Sequence, residues 1–177
     1  MVVRSFCTHD MNDDDLPKTA AKLIATCPYL NVATAQHDLP WNSPVFAVPD
    51  EHLCFYWSSW VEAVHSKNIQ ANPNTFITLY DSTRPRGTNN FRCLYLECAA
   101  HVVTDPQEAR KASDLVYPGE PINLADFLDS GLKRFYGAKP QKAWLNCLSE
   151  RDLTPATLKM RVEVRLDLIQ RARLPRQ

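Results

Sequence analysis

The stretch from residue 41 to 81, WNSPVFAVPDEHLCFYWSSWVEAVHSKNIQANPNTFITLYD, limits the architectures open to this chain more than any other part. Residues 45–48 are apolar, and Pro49, Asp50 and Glu51 separate them from Leu-Cys-Phe-Tyr-Trp at 53–57, which carries no charge. This predicts two strands joined by a tight antiparallel connection, the second covered on both faces. Ser58-Ser59 end that run, and residues 61–71 place Val61, Val64 (or His65) and Asn68 at helical spacing. Asn72-Pro73 close the helix, because the residue before proline is pushed out of the α region. Residues 75–80 are β-rich again. A strand that runs into hydroxyls at a helix start offers free backbone N–H groups and a positive dipole end, which suits a phosphate. His65 and Lys67 lie where they complete such a site.

The flanking sequence extends the pattern. Residues 17–26 predict a first helix, with Pro17 near its start and Ala20, Leu23, Ile24 and Cys27 as an apolar stripe. Pro28 closes it, residues 29–36 alternate as a strand, and residues 37–40 turn the chain into Trp41. Strands joined this way describe an antiparallel meander rather than a βαβ unit. Residues 82–90 form a polar loop with Arg84 and Arg86. Residues 91–103 predict a long strand, with Tyr95, Glu97 and Ala99 on one face and Leu94, Leu96 and Cys98 on the other. Asp105-Pro106-Gln107-Glu108 is a capped helix start, and that helix runs to about residue 116. A second helix is expected over 123–130, a further helical turn over 143–148, and a half-buried strand over 157–169. The expected fold is mainly β (α+β): one domain over residues 1–177, with 1–14 a loose tail, built on a closed or split barrel of about six antiparallel strands with flanking helices.

Composition removes several function classes. Twenty basic residues balance twenty acidic ones and no basic run is present, so neither nucleic acid nor an anionic membrane is an expected partner. The polar N-terminus does not read as a signal peptide, and no apolar run approaches a membrane span; the expected location is cytoplasmic. The six cysteines and five histidines show no metal-ligand spacing. There is no Gly-x-Gly-x-x-Gly, and with only four glycines no glycine loop can cradle a phosphate, so side chains and a helix end must do so.

The motifs together resemble the FMN-binding split-barrel superfamily related to pyridoxamine 5'-phosphate oxidase. The matching residues are Trp41-Asn42-Ser43-Pro44-Val45, Phe55-Tyr56-Trp57, His65-Ser66-Lys67-Asn68-Ile69, Asn72-Pro73, Tyr80-Asp81-Ser82 and Leu94-Tyr95-Leu96-Glu97 with Ala99. The resemblance covers roughly residues 16–103. It implies a split barrel and a homodimer with a flavin in each of two grooves between the barrels. It also implies that the isoalloxazine ring lies along Asn42, Ser43, Pro44 and Val45, near Tyr56 and Trp57. The phosphate would be held by Ser58 or Ser59, His65, Ser66 and Lys67. Asn42 and Ala47 fall where the vitamin oxidase carries a flavin-contacting arginine and lysine, and Cys93 where it carries glutamine. The implied function is therefore an FMN-dependent oxidoreductase acting on a small molecule other than pyridoxamine 5'-phosphate. The alternatives are a flavin-binding electron carrier or redox sensor, or a binder of deazaflavin or haem.

Overall fold

A computed structural model describes residues 15–83, 92–128, 131–146 and 161–173. The chain order is helix α1 (Asp15–Thr26), strands β1 (Tyr29–Gln36), β2 (Leu39–Phe46), β3 (Val48–Pro49) and β4 (Phe55–Trp60), then helix α2 (Val64–Ala71). Strands β5 (Asn74–Tyr80) and β6 (Cys93–Val102) follow, then helix α3 (Pro106–Val116) and a 3-10 turn (Leu124–Phe127). The last elements are strand β7 (Lys133–Leu145), the short β8 (Val162–Glu163) and helix α4 (Leu166–Arg173).

The strands form one antiparallel sheet in the order β2-β1-β5-β6-β7-β4-β3, with β8 added to β7. β2 and β3 stand at opposite ends of that order, yet only Ala47 separates them in the chain. Two residues either side of a single residue cannot lie more than about 7 Å apart. The sheet must therefore curl until its two margins meet, which produces a curled half-barrel with four flanking helices. The periodicity follows. Leu30, Val32, Ile77, Leu79, Leu94, Leu96, Ala143 and Leu145 alternate inward and fill the interior with Trp57 and Tyr136. Each fully buried aliphatic side chain of this kind contributes about 1.5–3 kcal/mol. A second apolar layer, with Cys54, Tyr56, Val103, Ala109, Ala112 and Phe135, lies between α3 and the outer side of β4 and β7.

α2 closes one end of the barrel with a polar rather than a greasy face. His65, Ser66, Asn68 and Ile69 are buried, and the Asn68 amide donates to the Thr34 hydroxyl at 3.0 Å. The Asn72 amide donates to the Ala35 carbonyl at 3.2 Å. Asn68 therefore bonds a neighbouring strand rather than capping its helix.

Several expectations need correction. The run 157–169 is not a strand: residues 157–160 lie outside the described residues, Val162–Glu163 is a two-residue strand, and the helix α4 begins at Leu166. Leu166 and Ile169 also sit three apart, so the short alternation was equally a helical stripe, and contact with α1 decides for the helix. Residues 143–145 belong to β7, not to a helical turn. That strand is the largest omission, because Pro140 looks like a breaker. Pro140 stands opposite Cys98, where the register shifts between Glu97 and Cys98, and such a bulge tolerates a proline. Of the helix expected over 123–130, residues 124–127 form one 3-10 turn capped by Asn123, and residues 129–130 lie outside the described residues. Among the described residues the sheet counts eight strands, of which β3 and β8 are two residues long, so the expected barrel of about six antiparallel strands stands.

Other expectations hold. Asp105 caps α3 by accepting the Glu108 N–H at 2.8 Å, with proline in the first turn. Leu94, Leu96 and Cys98 face the core while Tyr95 and Glu97 do not, and Glu97 pairs with Lys142 at 3.7 Å. Arg84, Arg86 and the N-terminal tail lie outside the described residues.

Candidate functional site

The two segments that carried the sequence reading, 41–45 and 65–67, meet in space. Ser43 pairs with Val32, and Val45 with Leu30, so Trp41, Ser43 and Val45 point to the barrel side of β2 while Asn42 and Pro44 point outward. The Ser43 hydroxyl lies 3.1 Å from His65 Nδ1 on α2 and accepts the Trp41 indole N–H at 3.0 Å. An indole can only donate, so the Ser43 hydroxyl keeps its own proton and one further lone pair, and it can meet Nδ1 as donor or as acceptor according to the imidazole tautomer. His65 is buried, which pushes its pKa below the ordinary histidine value and keeps the ring neutral. Among the described residues its Nε2 has no hydrogen-bond partner, nor do Trp57 Nε1 and Tyr136 Oη. These three atoms belong to rings in contact: Trp57 stacks on Tyr136 at 5.7 Å, and His65 meets Tyr136 edge-on at 6.2 Å.

Among the described residues β2 ends the strand order, so one row of its backbone groups, to which Pro40 and Pro44 bring carbonyls but no N–H, faces away from the sheet and can bond a planar heterocycle. Asn42 is exposed and reaches Asn31 at 3.5 Å. Trp41 is 47% exposed, whereas Tyr56 and Trp57 lie in the packing layers. Tyr56 donates its hydroxyl proton to Glu108 at 3.0 Å on the α3 side, and Trp57 is wholly interior. Of these aromatic residues, Trp41 is the one a ring can reach.

The proposed phosphate ligands divide between faces. Ser58 and Ser59 lie within β4, not at a helix start, because the strand runs on to Trp60 and α2 begins at Val64. The Ser58 hydroxyl turns to the α3 layer, 2.6 Å from the Tyr117 hydroxyl. Ser59 points the other way, opposite Arg134 of β7. Ser66 is fully buried and donates to the Trp60 carbonyl at 2.7 Å, tying the first turn of α2 to the end of β4. Lys67 is on the solvent side of α2, half exposed and 2.7 Å from Glu62. No side chain caps the helix at Ala63, which leaves first-turn N–H groups to solvent or a ligand. The structure thus gathers Trp41, Ser43, His65, Ser66 and Ser59 around one barrel end. Ser58 and Tyr56 are directed elsewhere, and Lys67 reaches that end only from outside.

Two residues at this end escaped the sequence reading. Tyr136 is at its centre, its hydroxyl held protonated by burial. Arg134, two residues earlier on the same face, donates to the carbonyls of Gly131 and Lys133 at 2.7 Å each. The pair Phe135-Tyr136 before Gly137 was the available signal.

No protein-family model matches this chain, and no curated protein matches it in sequence. Solved structures do match its fold. A haem-binding protein from Mycobacterium smegmatis superposes with a TM-score of 0.63 at 13% identity, over 93% of this chain and 62% of that one. This chain therefore spans less than two thirds of that protein's length. An FAD-binding protein from Mesorhizobium loti gives 0.57 at 13% identity, over 72% of this chain and 91% of that one. The "Putative Pyridoxamine 5'-phosphate oxidase" of Listeria innocua gives 0.53 at 15% identity, over 72% and 95%. Among the described residues, no helix is long and apolar enough to cross a membrane.

Proposed function

We propose, from the premise that this chain has the split-barrel fold of pyridoxamine 5'-phosphate oxidase-like proteins, that it binds FMN and acts as an oxidoreductase on a small-molecule substrate. The observation that carries this reading is the 3.1 Å contact between Ser43 and His65, which joins the outer strand to the polar helix at one barrel end. Along β2, the unpaired backbone groups beside Asn42 and Pro44 suit the polar edge of an isoalloxazine ring, and Trp41 offers a face. The uncapped start of α2 and the Lys67 ammonium suit a phosphate monoester. His65 Nε2, buried with no partner among the described residues, is a polar atom of the kind a ligand or an ordered water satisfies. Flavin, when bound, supplies the hydride chemistry, while the protein's residues bind and orient it.

A second copy of the chain completes the groove in this reading. Tyr29 and Phe46 are large apolar side chains exposed on β1 and β2 that meet edge-on at 5.8 Å, and such an exposed apolar pair suits an interaction surface. Purified protein should carry a yellow chromophore, bleached by dithionite, and mass spectrometry of the released small molecule should return FMN. Turnover with NADH or NADPH and a panel of acceptors separates an oxidoreductase from an electron carrier or redox sensor. Deazaflavin would appear by mass, and haem by an intense Soret band; either result replaces FMN within the same fold. A purified dimer that holds none of these and takes up no added flavin would end this reading.

A further inference from the structure

We propose that the cleft bounded by α1, β3 and α4 binds a free organic acid, a carboxylate carried on a short aliphatic body. None of the residues placed around Ser43 and His65 lines this cleft, so it stands apart from the flavin reading. Its volume is about 550 Å³, within the roughly 300–1,000 Å³ of small-molecule sites. The walls are aliphatic: Ile24 and Ala25 of α1, Val48 of β3 and Ala172 of α4. Lys22 and Arg173 line it as well, and among the described residues no Asp or Glu does.

Arg173 gives the cleft its chemistry. It is the last residue of α4 and half-buried, and its guanidinium donates to the Asp50 carbonyl at 2.9 Å and the Pro49 carbonyl at 3.4 Å. Those bonds hold the fork but bring no negative charge to it. The Asp50 carboxylate is occupied elsewhere, by the His52 and Cys54 N–H groups and the Lys111 ammonium. Among the described residues no carboxylate forms an ion pair with Arg173 or with Lys22. A half-buried cation without a counter-ion is a costly arrangement, and burial pulls the Arg173 pKa below the ordinary arginine value. An anion from outside removes that cost. A planar guanidinium already held on one edge loses little freedom when it meets a carboxylate, and Lys22, exposed on α1, adds a second positive charge. The aliphatic walls select the rest of the ligand: a bare inorganic anion leaves them in water, and a hydrocarbon chain covers them.

Isothermal titration calorimetry with butanoate, hexanoate, octanoate, octanol and inorganic phosphate reads charge and chain separately. Octanoate should bind wild type with a Kd of about 1 mM or tighter. Each added methylene should tighten binding about two- to fourfold, as buried apolar surface does. Octanol should bind about tenfold or more weakly than octanoate, the worth of one hydrogen bond between charged groups. Arg173→Gln should weaken octanoate by about tenfold and leave octanol within roughly twofold. Lys22→Ala should weaken octanoate by less than about fivefold, as loss of an exposed cation does. Arg173→Gln also removes two bonds to the chain at Pro49 and Asp50, so Ala172→Trp serves as a second variant. It fills the cleft from an exposed position without altering charge and should abolish octanoate binding. Equal affinity for octanoate and octanol, phosphate binding as tightly as octanoate, or octanoate binding unchanged in Ala172→Trp would each overturn the proposal. So would wild type that binds none of the acids at about 10 mM.

Discussion

Replacing Gly137 with alanine tests the close approach of β6 and β7. Gly137 faces Tyr56 on one side and His101 on the other. A Cβ built there would meet His101 Cε1 at 2.5 Å and Nε2 at 2.9 Å, distances that real side chains do not tolerate. The imidazole must therefore move, and it gives up its 2.9 Å contact with Glu108. That contact joins half-exposed groups and is worth about 1 kcal/mol. Overpacking adds about 1–3 kcal/mol where neighbours cannot yield, less here because the ring is partly in solvent. Alanine returns about 0.5–1 kcal/mol by stiffening the unfolded chain. The net cost should be about 1–2 kcal/mol, or roughly 2–8 °C in Tm at this chain length. Urea melts of wild type, Gly137→Ala, His101→Ala and the double variant measure it. In the His101→Ala background the alanine at 137 should cost nothing or stabilise. If it costs the same in both backgrounds, the imidazole is not what excludes the side chain and the reasoning fails.

Asp50→Ala should cost about 3 kcal/mol in the same assay, because a carboxylate at 4% exposure accepts the His52 and Cys54 N–H groups at 2.8 Å each and Lys111 at 2.6 Å. A loss below about 1 kcal/mol would contradict that account. His65 should make stability fall as pH drops below about 6.5, since the unfolded chain takes up a proton that the buried ring resists, and the unfolded state then holds more protons. His65→Gln should flatten the slope between pH 7 and 5; an unchanged slope would place the titration elsewhere.

Much of the β-meander was legible because its strands carry period-two patterns with proline and charged punctuation between them. α3 was legible because Asp105-Pro106 and Glu108 state a cap locally. The candidate site was half legible. Ser43 and His65 stood in recognisable motifs, but the fact that they touch depends on α2 folding back over β1 and β2. That is a tertiary event, carried by Asn68 on Thr34 and Asn72 on Ala35. β7 was hidden since Pro140 and the polar Lys139, Gln141 and Lys142 disguise a strand whose inner residues pair at a bulge. With β7 went Arg134 and Tyr136. Ser58 and Ser59 misled for a related reason: hydroxyls after an apolar run resemble a helix start, yet pairing with Phe135 and Arg134 keeps them extended.

The single residue between β2 and β3 makes the girth of this molecule a matter of covalent bonds. Side-chain packing alone would let a sheet breathe, with its borders sliding or parting as temperature rises. Here Phe46 and Val48 are leashed by Ala47, whose N–H is in turn fastened to the Pro28 carbonyl at 3.2 Å. Any cofactor lying along the outer strand therefore rests against a wall whose position is set by chain length, and one inserted residue at that joint would loosen the wall without touching the ligand.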